Sequence, residues 1–164
     1  LKKLLLAAGL LVLFIPVHGV AALGYLRGIA GDLSAPSLLL LASVLVGFLG
    51  GPRLHDRREL SALTAFVLAG AVFLYPMALG LTAWDPYALG FAGRERVLVV
   101  ALAAVALVSW YRGFWLVVLG IVLALAAFRL ELLESRNLWD YLLDPWLVVG
   151  LLGFTIFART SKSR

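Results

Sequence analysis

The chain contains no cysteine. That removes disulfides, thiolate metal sites, cysteine nucleophiles and iron–sulfur clusters together. It does not fix a compartment, since the absence suits either redox environment. Charge is scarce as well. Only 14% of the 164 residues are Asp, Glu, Lys or Arg, where a soluble domain carries about 25%. There are two histidines, His18 and His55. They fall at opposite depths of the expected fold, which argues against a bis-histidine haem and against a histidine-based metal site. No glycine-rich phosphate loop and no RNA-binding motif accompanies the formal charge of +5. No cofactor, no metal and no nucleic-acid partner is therefore expected.

What the chain has instead is apolar sequence. It is 63% hydrophobic, with a mean hydropathy of +1.04, and the apolar runs recur from end to end. Lipid is the expected solvent. The fold class expected is all-α: a polytopic transmembrane helical bundle of six helices (alternatively five) with short loops, forming one integral membrane domain over 1–164. The six segments are 4–26, 34–50, 61–83, 97–111, 113–128 and 145–158. The first opens with two lysines before its apolar stretch, as a signal peptide does, and is read as a retained first helix. Several of the others are short against the ~20 residues that a ~30 Å hydrocarbon core requires. Tilt or local thinning of the bilayer would accommodate them.

Orientation follows from the basic residues. With the N-terminus in the cytoplasm, nine cations face inward: Lys2, Lys3, Arg53, Arg57, Arg58, Arg112, Arg159, Lys162 and Arg164. Five face outward: Arg27, Arg94, Arg96, Arg129 and Arg136. The acids divide the other way, with Asp56 and Glu59 inside and Asp32, Asp85, Glu95, Glu131, Glu134, Asp140 and Asp144 outside. Lys/Arg bias sets topology, so both ends are expected in the cytoplasm. The localisation expected is a bacterial inner (plasma) membrane. Trp110, Tyr111, Phe114 and Trp115 around the Arg112-Gly113 turn read as an aromatic belt at headgroup depth.

Small residues recur at spacing four: Ser61, Ala65 and Ala69; Gly47 and Gly51; Gly120 and Ala124. In lipid such spacings mark seams where helices approach closely. Pro16 and Pro76 fall within helical segments and each frees a carbonyl one turn back, inviting a kink.

Four stretches carry polar chemistry. His18 is the ionisable group expected near the middle of a helix, where an imidazole could relay a proton or contact a quinone; a hydrogen bond to a neighbouring helix is the plainer expectation. In "WDPYALGFAGRER" (84–96), Asp85-Pro86 is a helix-start signal, and a short surface helix from Pro86 to about Phe91 follows from it. In "ESRNLWDYLLDPW" (134–146), Leu138, Trp139, Leu142 and Leu143 share one helical face. An interfacial helix over 137–143 is expected, capped by Asn137, with Asp140 at the outer surface beside Arg136. Asp144-Pro145 repeats the start signal for the last helix. The two outer loops both carry Trp-Asp, so Trp84, Asp85, Arg136, Trp139 and Asp140 form a candidate outer-face interaction patch.

Three functions suit this inventory. The first is an accessory or structural subunit of a larger membrane complex, with membrane lipids and a protein within the membrane as partners. Few buried ions and an aromatic-acidic outer surface favour it. A small transporter or channel would need polar residues along a path at mid-depth, and only His18, Ser43, Thr64 and Ser109 offer themselves. An enzyme acting on a lipid-linked substrate would use Asp85, Asp140 and Asp144 with Arg94, Arg96 or Arg136. No Ser/His pairing or spaced motif accompanies those acids, and catalysis is not the expectation.

Overall fold

The structure of the protein, a computed structural model, describes residues 9, 11–52, 55–81 and 83–160, with side chains as far as 156. Lys2, Lys3, Arg53, Lys162, Arg164 and the start of the first expected helix lie outside the described residues, as does the side chain of Arg159. The protein is mostly helical and all-α in class. Its contacts fall into two compact units, residues 1–32 and 33–164.

The smaller unit corrects the expected helix at 4–26. Its described residues are helical at Gly9, Leu11 and Val12, as expected, but the helix stops there and gives way to a two-stranded hairpin, β1 (Pro16–Val17) and β2 (Val20–Ala21), followed by helix α1 (Ala22–Ala30). The reason is local. His18 and Gly19 both take positive φ, +50° and +84°, which is the requirement of the tight two-residue turn matching the twist of paired strands. Pro16 therefore does not kink a helix; it opens a strand, where its missing N–H is tolerated. The Tyr25 hydroxyl donates to the Val17 carbonyl at 3.0 Å and ties α1 back to the hairpin. Arg27 and Asp32 pair at 2.5 Å where the helix ends.

The larger unit holds five long helices: α2 (Ala35–Phe48), α3 (Arg57–Ala78), α4 (Arg96–Tyr111), α5 (Trp115–Arg129) and α7 (Pro145–Thr160). A short helix α6 (Leu138–Leu142) and a 3-10 helix (Pro86–Gly90) lie in the connections. These spans match the expected segments closely, except that α3 is shifted, starting four residues before and ending five residues before the expected 61–83. Asp56 explains that start: its carboxylate accepts the Glu59 N–H at 2.8 Å and caps the helix. Ser34 opens α2 in the same way, with Pro36 in the first turn. Pro76 lies two residues before the end of α3, so little helix remains beyond it.

Successive helices alternate in direction, as contacts between their ends require. At one end the starts of α2 and α7 meet through Ser34 and Asp144, and Glu95 before α4 faces Arg129 at the end of α5. At the other end Arg58 of α3 donates to the carbonyl of Arg112, after α4, and Glu59 accepts the N–H of Trp115, which opens α5. We call the first the acidic end and the second the basic end.

Helix α5 is the centre of the unit, packing against α2, α3, α4 and α6. Leu116, Val117, Gly120, Ile121, Ala124 and Phe128 are its buried face. Gly120 and Ala124 thus form a seam, and a Cβ on Gly120 would stand 3.4 Å from Pro36 Cγ. The other two small-residue stripes do not pack. Ser61, Ala65 and Ala69 are exposed on α3, whose buried face is Leu63, Thr64, Val67, Ala71 and Leu74. Gly47 meets nothing within 4 Å. Among the described helices, only α3 is long and apolar enough to cross a membrane by length and composition. Helices α2, α4, α5 and the Pro145–Ile156 part of α7 are apolar but shorter.

Candidate functional site

The polar side chains that the bundle buries are concentrated at its acidic end. They lie where the 3-10 helix, α6 and the starts of α2 and α7 converge. Asp144 is the anchor. One carboxylate oxygen accepts the Leu147 N–H at 2.9 Å and so caps α7. The other accepts the Ser34 N–H at 3.0 Å, the Ser34 hydroxyl at 2.7 Å and the Ser37 hydroxyl. Asp144 is only 3% exposed. Burial by itself would raise its carboxyl; the hydrogen bonds from Ser37, Ser34 and the Leu147 and Ser34 backbone outweigh that and hold it below the ordinary carboxylate range. An expected cap of one helix is thus also the clamp joining two helix starts, 110 residues apart in sequence.

Asp140 is the second anchor. It is half-buried and does not stand free at the surface beside Arg136, as the spacing had suggested. Its Oδ2 accepts the Tyr87 hydroxyl at 2.8 Å and the Ser135 hydroxyl at 2.5 Å. Arg136 precedes α6 and is exposed, and the partners of Asp140 are hydroxyls instead of a guanidinium. Burial, with the Asp140 hydrogen bond and charge, pushes the Tyr87 phenol up to about 12. Tyr87 therefore stays a donor at any physiological pH.

The two outer loops do come together. Asp85 accepts the Tyr87 N–H at 2.9 Å and starts the 3-10 helix, as the Asp-Pro signal predicts. Asn137, fully buried, donates from Nδ2 to the Tyr87 carbonyl at 2.9 Å and accepts the Trp139 N–H at 3.0 Å. Trp139 Nε1 donates to the Pro86 carbonyl at 2.9 Å. Trp84 is half-exposed and meets Phe73 edge-on at 5.4 Å, and Phe73 also touches Trp139. The candidate residues Trp84, Asp85, Trp139 and Asp140 therefore lie in one loop-to-loop clasp, with Trp139 inside it and Trp84 at its edge. The apolar face expected of 137–143 is buried: Leu138, Trp139, Leu142 and Leu143 are all in the core.

Gly90 shows how tightly the clasp closes. A Cβ there would stand 1.8 Å from Asn137 Oδ1 and 2.7 Å from Trp139 Cδ1. Beneath it, the hydroxyl of fully buried Tyr141 accepts the Leu133 N–H and donates toward the Leu133 and Ser135 carbonyls, at 3.0–3.2 Å. That fixes the loop leading into α6.

Compared with protein-family models, curated proteins and solved structures, the chain matches none of them. The chemistry must be read from the side chains themselves. Asp144 receives four donors from the fold itself, three on one carboxylate oxygen and one on the other. Asp140 is engaged by two hydroxyls. Among the described residues, no three His, Cys, Asp or Glu side chains converge as metal ligands do.

Sequence reasoning missed Ser34, Ser37, Tyr87 and Ser135. Ser-Ala-Pro-Ser at 34–37 is a helix-start signature that could have been recognised, but its distant acceptor could not. It also missed Glu95, which is 7% exposed and sits 3.8 Å from the largely exposed Arg129. His18 needs a correction. It occupies the hairpin turn of the smaller unit, with positive φ and an exposed side chain, and not a mid-helix position.

Proposed function

We propose that the protein is an integral membrane helical bundle that serves as an accessory or structural subunit of a larger membrane complex. The observation that carries this is the internal use of its polar groups. Asp144 and Asp140, the two acids best placed for chemistry, are engaged by the fold's own donors. The outward helix faces, by contrast, are apolar: Val44, Val72, Val100, Leu107, Val122 and Val149 are each at least half exposed. Soluble monomers rarely leave contiguous apolar surface on that scale. Lipid and a partner's helices are the chemistry that would cover it.

In this reading the five long helices of the larger unit cross the bilayer. At 1.5 Å per residue the 22 residues of α3 reach ~33 Å, and the 14 of α2 only ~21 Å. The shorter helices need a locally thinned bilayer, at a modest cost per ångström of mismatch. Exposed aromatics at both ends, Trp84 and Trp146 at one and Trp110, Tyr111 and Trp115 at the other, suit the two headgroup layers. The basic end faces the cytoplasm by the positive-inside rule, in a bacterial inner membrane. Six crossings with both termini inside would further require a crossing within residues 1–32, where the hairpin interrupts the expected helix.

Reporter fusions test the orientation: one after Arg94 should behave as external and one after Arg164 as cytoplasmic. Purification from native membranes in mild detergent tests the role, with a protein partner expected at fixed stoichiometry in independent preparations. A protein recovered alone, carrying a lipid-linked substrate that it turns over, would replace the subunit reading with an enzymatic one.

A further inference from the structure

Helices α3 and α4 both pack on α5 but hardly on each other. The 3-10 helix in the long connection between them touches both and holds them apart at the acidic end. At the basic end the space between them is an open groove of about 730 Å³, within the size range of small-molecule sites. Its walls are mostly apolar, with Ala65 and Phe66 from α3, Val105 and Val108 from α4 and Val117 from α5 as the floor, and Ser61 and Ser109 as the polar exceptions. Its mouth carries two arginines, Arg58 and Arg112, both exposed. Arg58 is oriented by two contacts. Its guanidinium lies 5.0 Å over the Phe114 ring and donates through Nη2 to the Arg112 carbonyl at 3.2 Å. One N–H is used, and the other donors of the planar fork remain for an anion.

We infer that this groove binds an anionic phospholipid of the surrounding bilayer, its phosphate held between Arg58 and Arg112 and one acyl chain lying along Ala65, Phe66, Val105 and Val108. The proposal rests on the membrane reading above. The wall residues of α3 run from Arg58 to Phe66, about 12 Å of helix, so the groove starts at headgroup depth and descends into the hydrocarbon layer. Charge selects the ligand: two cations at an apolar groove fit a phosphodiester with no compensating amine better than a zwitterion. The exposed small residues Ser61 and Ala65 then have a role that helix packing does not give them. They leave the α3 wall low enough for a chain to lie against it.

The test uses the full-length protein reconstituted into bilayers of equal parts phosphatidylglycerol and phosphatidylcholine. It is then released in mild detergent and weighed intact by mass spectrometry. One retained phosphatidylglycerol per chain is expected, favoured over phosphatidylcholine by at least about fivefold. In the double variant Arg58→Gln/Arg112→Gln the preference should vanish. Arg58→Lys/Arg112→Lys keeps the charge and should keep part of it. Arg94→Gln, an exposed arginine at the other end, should leave it unchanged. Thermal melts of each variant separate loss of the lipid from loss of the fold. Equal retention of the two lipids by the native protein overturns the site, as does a preference that survives in the folded Gln double variant. A protein that fails to enter the bilayers at all overturns it differently, because then the membrane reading itself has failed.

Discussion

Asp56 and Asp144 perform the same local task at opposite ends of the bundle. Each accepts the N–H three residues ahead, at 2.8 and 2.9 Å, and opens a long helix. Asp56 is exposed, and the Glu59 N–H is its hydrogen-bonded contact. Asp144 is buried and takes three further donors from α2. One cap is a surface feature that water can replace. The other is a tertiary joint whose partners are buried away from water. The same contrast runs through the two ends as wholes. The acidic end is closed, its loops bonded to each other through Tyr87, Asn137 and Trp139. The basic end is open, with short turns and a groove between α3 and α4.

The contrast makes its largest claim for the two caps. Asp144→Ala should destabilise the protein by about 3 kcal/mol, combining a lost cap with buried Ser34 and Ser37 donors left unpaired. Asp56→Ala should cost about 1 kcal/mol, the usual loss for an exposed cap. Denaturant melts compare them, and equal losses would erase the distinction between the ends. The acid dependence has a definite sign. Asp144 ionises below the ordinary carboxylate range in the folded state. Its contribution is full above that range and is lost as pH falls through its lowered value. The gap between the wild type and Asp144→Ala should therefore close in acid.

A glycine pair gives the next largest effect. Gly90→Ala drives a methyl into Asn137 and Trp139 and should cost about 2–3 kcal/mol, as overpacking does. Gly47→Ala, in α2 toward the basic end, meets open space. It should be neutral or stabilise by up to about 1 kcal/mol through helix propensity. A destabilised Gly47→Ala would mean that the open end is packed after all.

The smallest effect is a titration. The Tyr87 phenol should ionise near pH 12, seen as an ultraviolet absorbance component missing from Tyr87→Phe. Asp140→Asn should bring that component only part of the way down toward the ordinary tyrosine value, since it removes the charge but keeps an amide oxygen as acceptor and leaves the burial unchanged. The associated stability is present below the unfolded value and lost as pH rises through about 12. An unshifted Tyr87 in the native protein would show that the Tyr87–Asp140 bond does not form.

Much of the fold was legible in the sequence. Five of the six long segments, the 3-10 helix after Asp85, the short helix capped by Asn137 and the start of α7 at Asp144 are all written in local patterns. Apolar runs define helices, and Asp-Pro or Asn at the right offset defines their starts, because capping couples a side chain to N–H groups two or three residues away. The failures were also local in cause. Residues 4–26 are apolar enough for a helix, but His18-Gly19 closes a tight turn, and hydrophobicity does not register φ. The stripe at Ser61, Ala65 and Ala69 has the spacing of a seam and faces outward, because spacing names a face without naming what it faces.

The sequence by itself determined the class, the alternation of the helices and where the acids and bases would gather. Only the tertiary structure decided what those charges do. Ser34 and Asp144 are 110 residues apart, and Tyr87 and Asp140 are 53 apart. Whether a carboxylate is spent on a hydroxyl or left for solvent depends on which helix ends are brought side by side. The packing of α2, α3, α4 and α6 around α5 sets that arrangement. It closes one end around Asp144 and leaves the other open between Arg58 and Arg112.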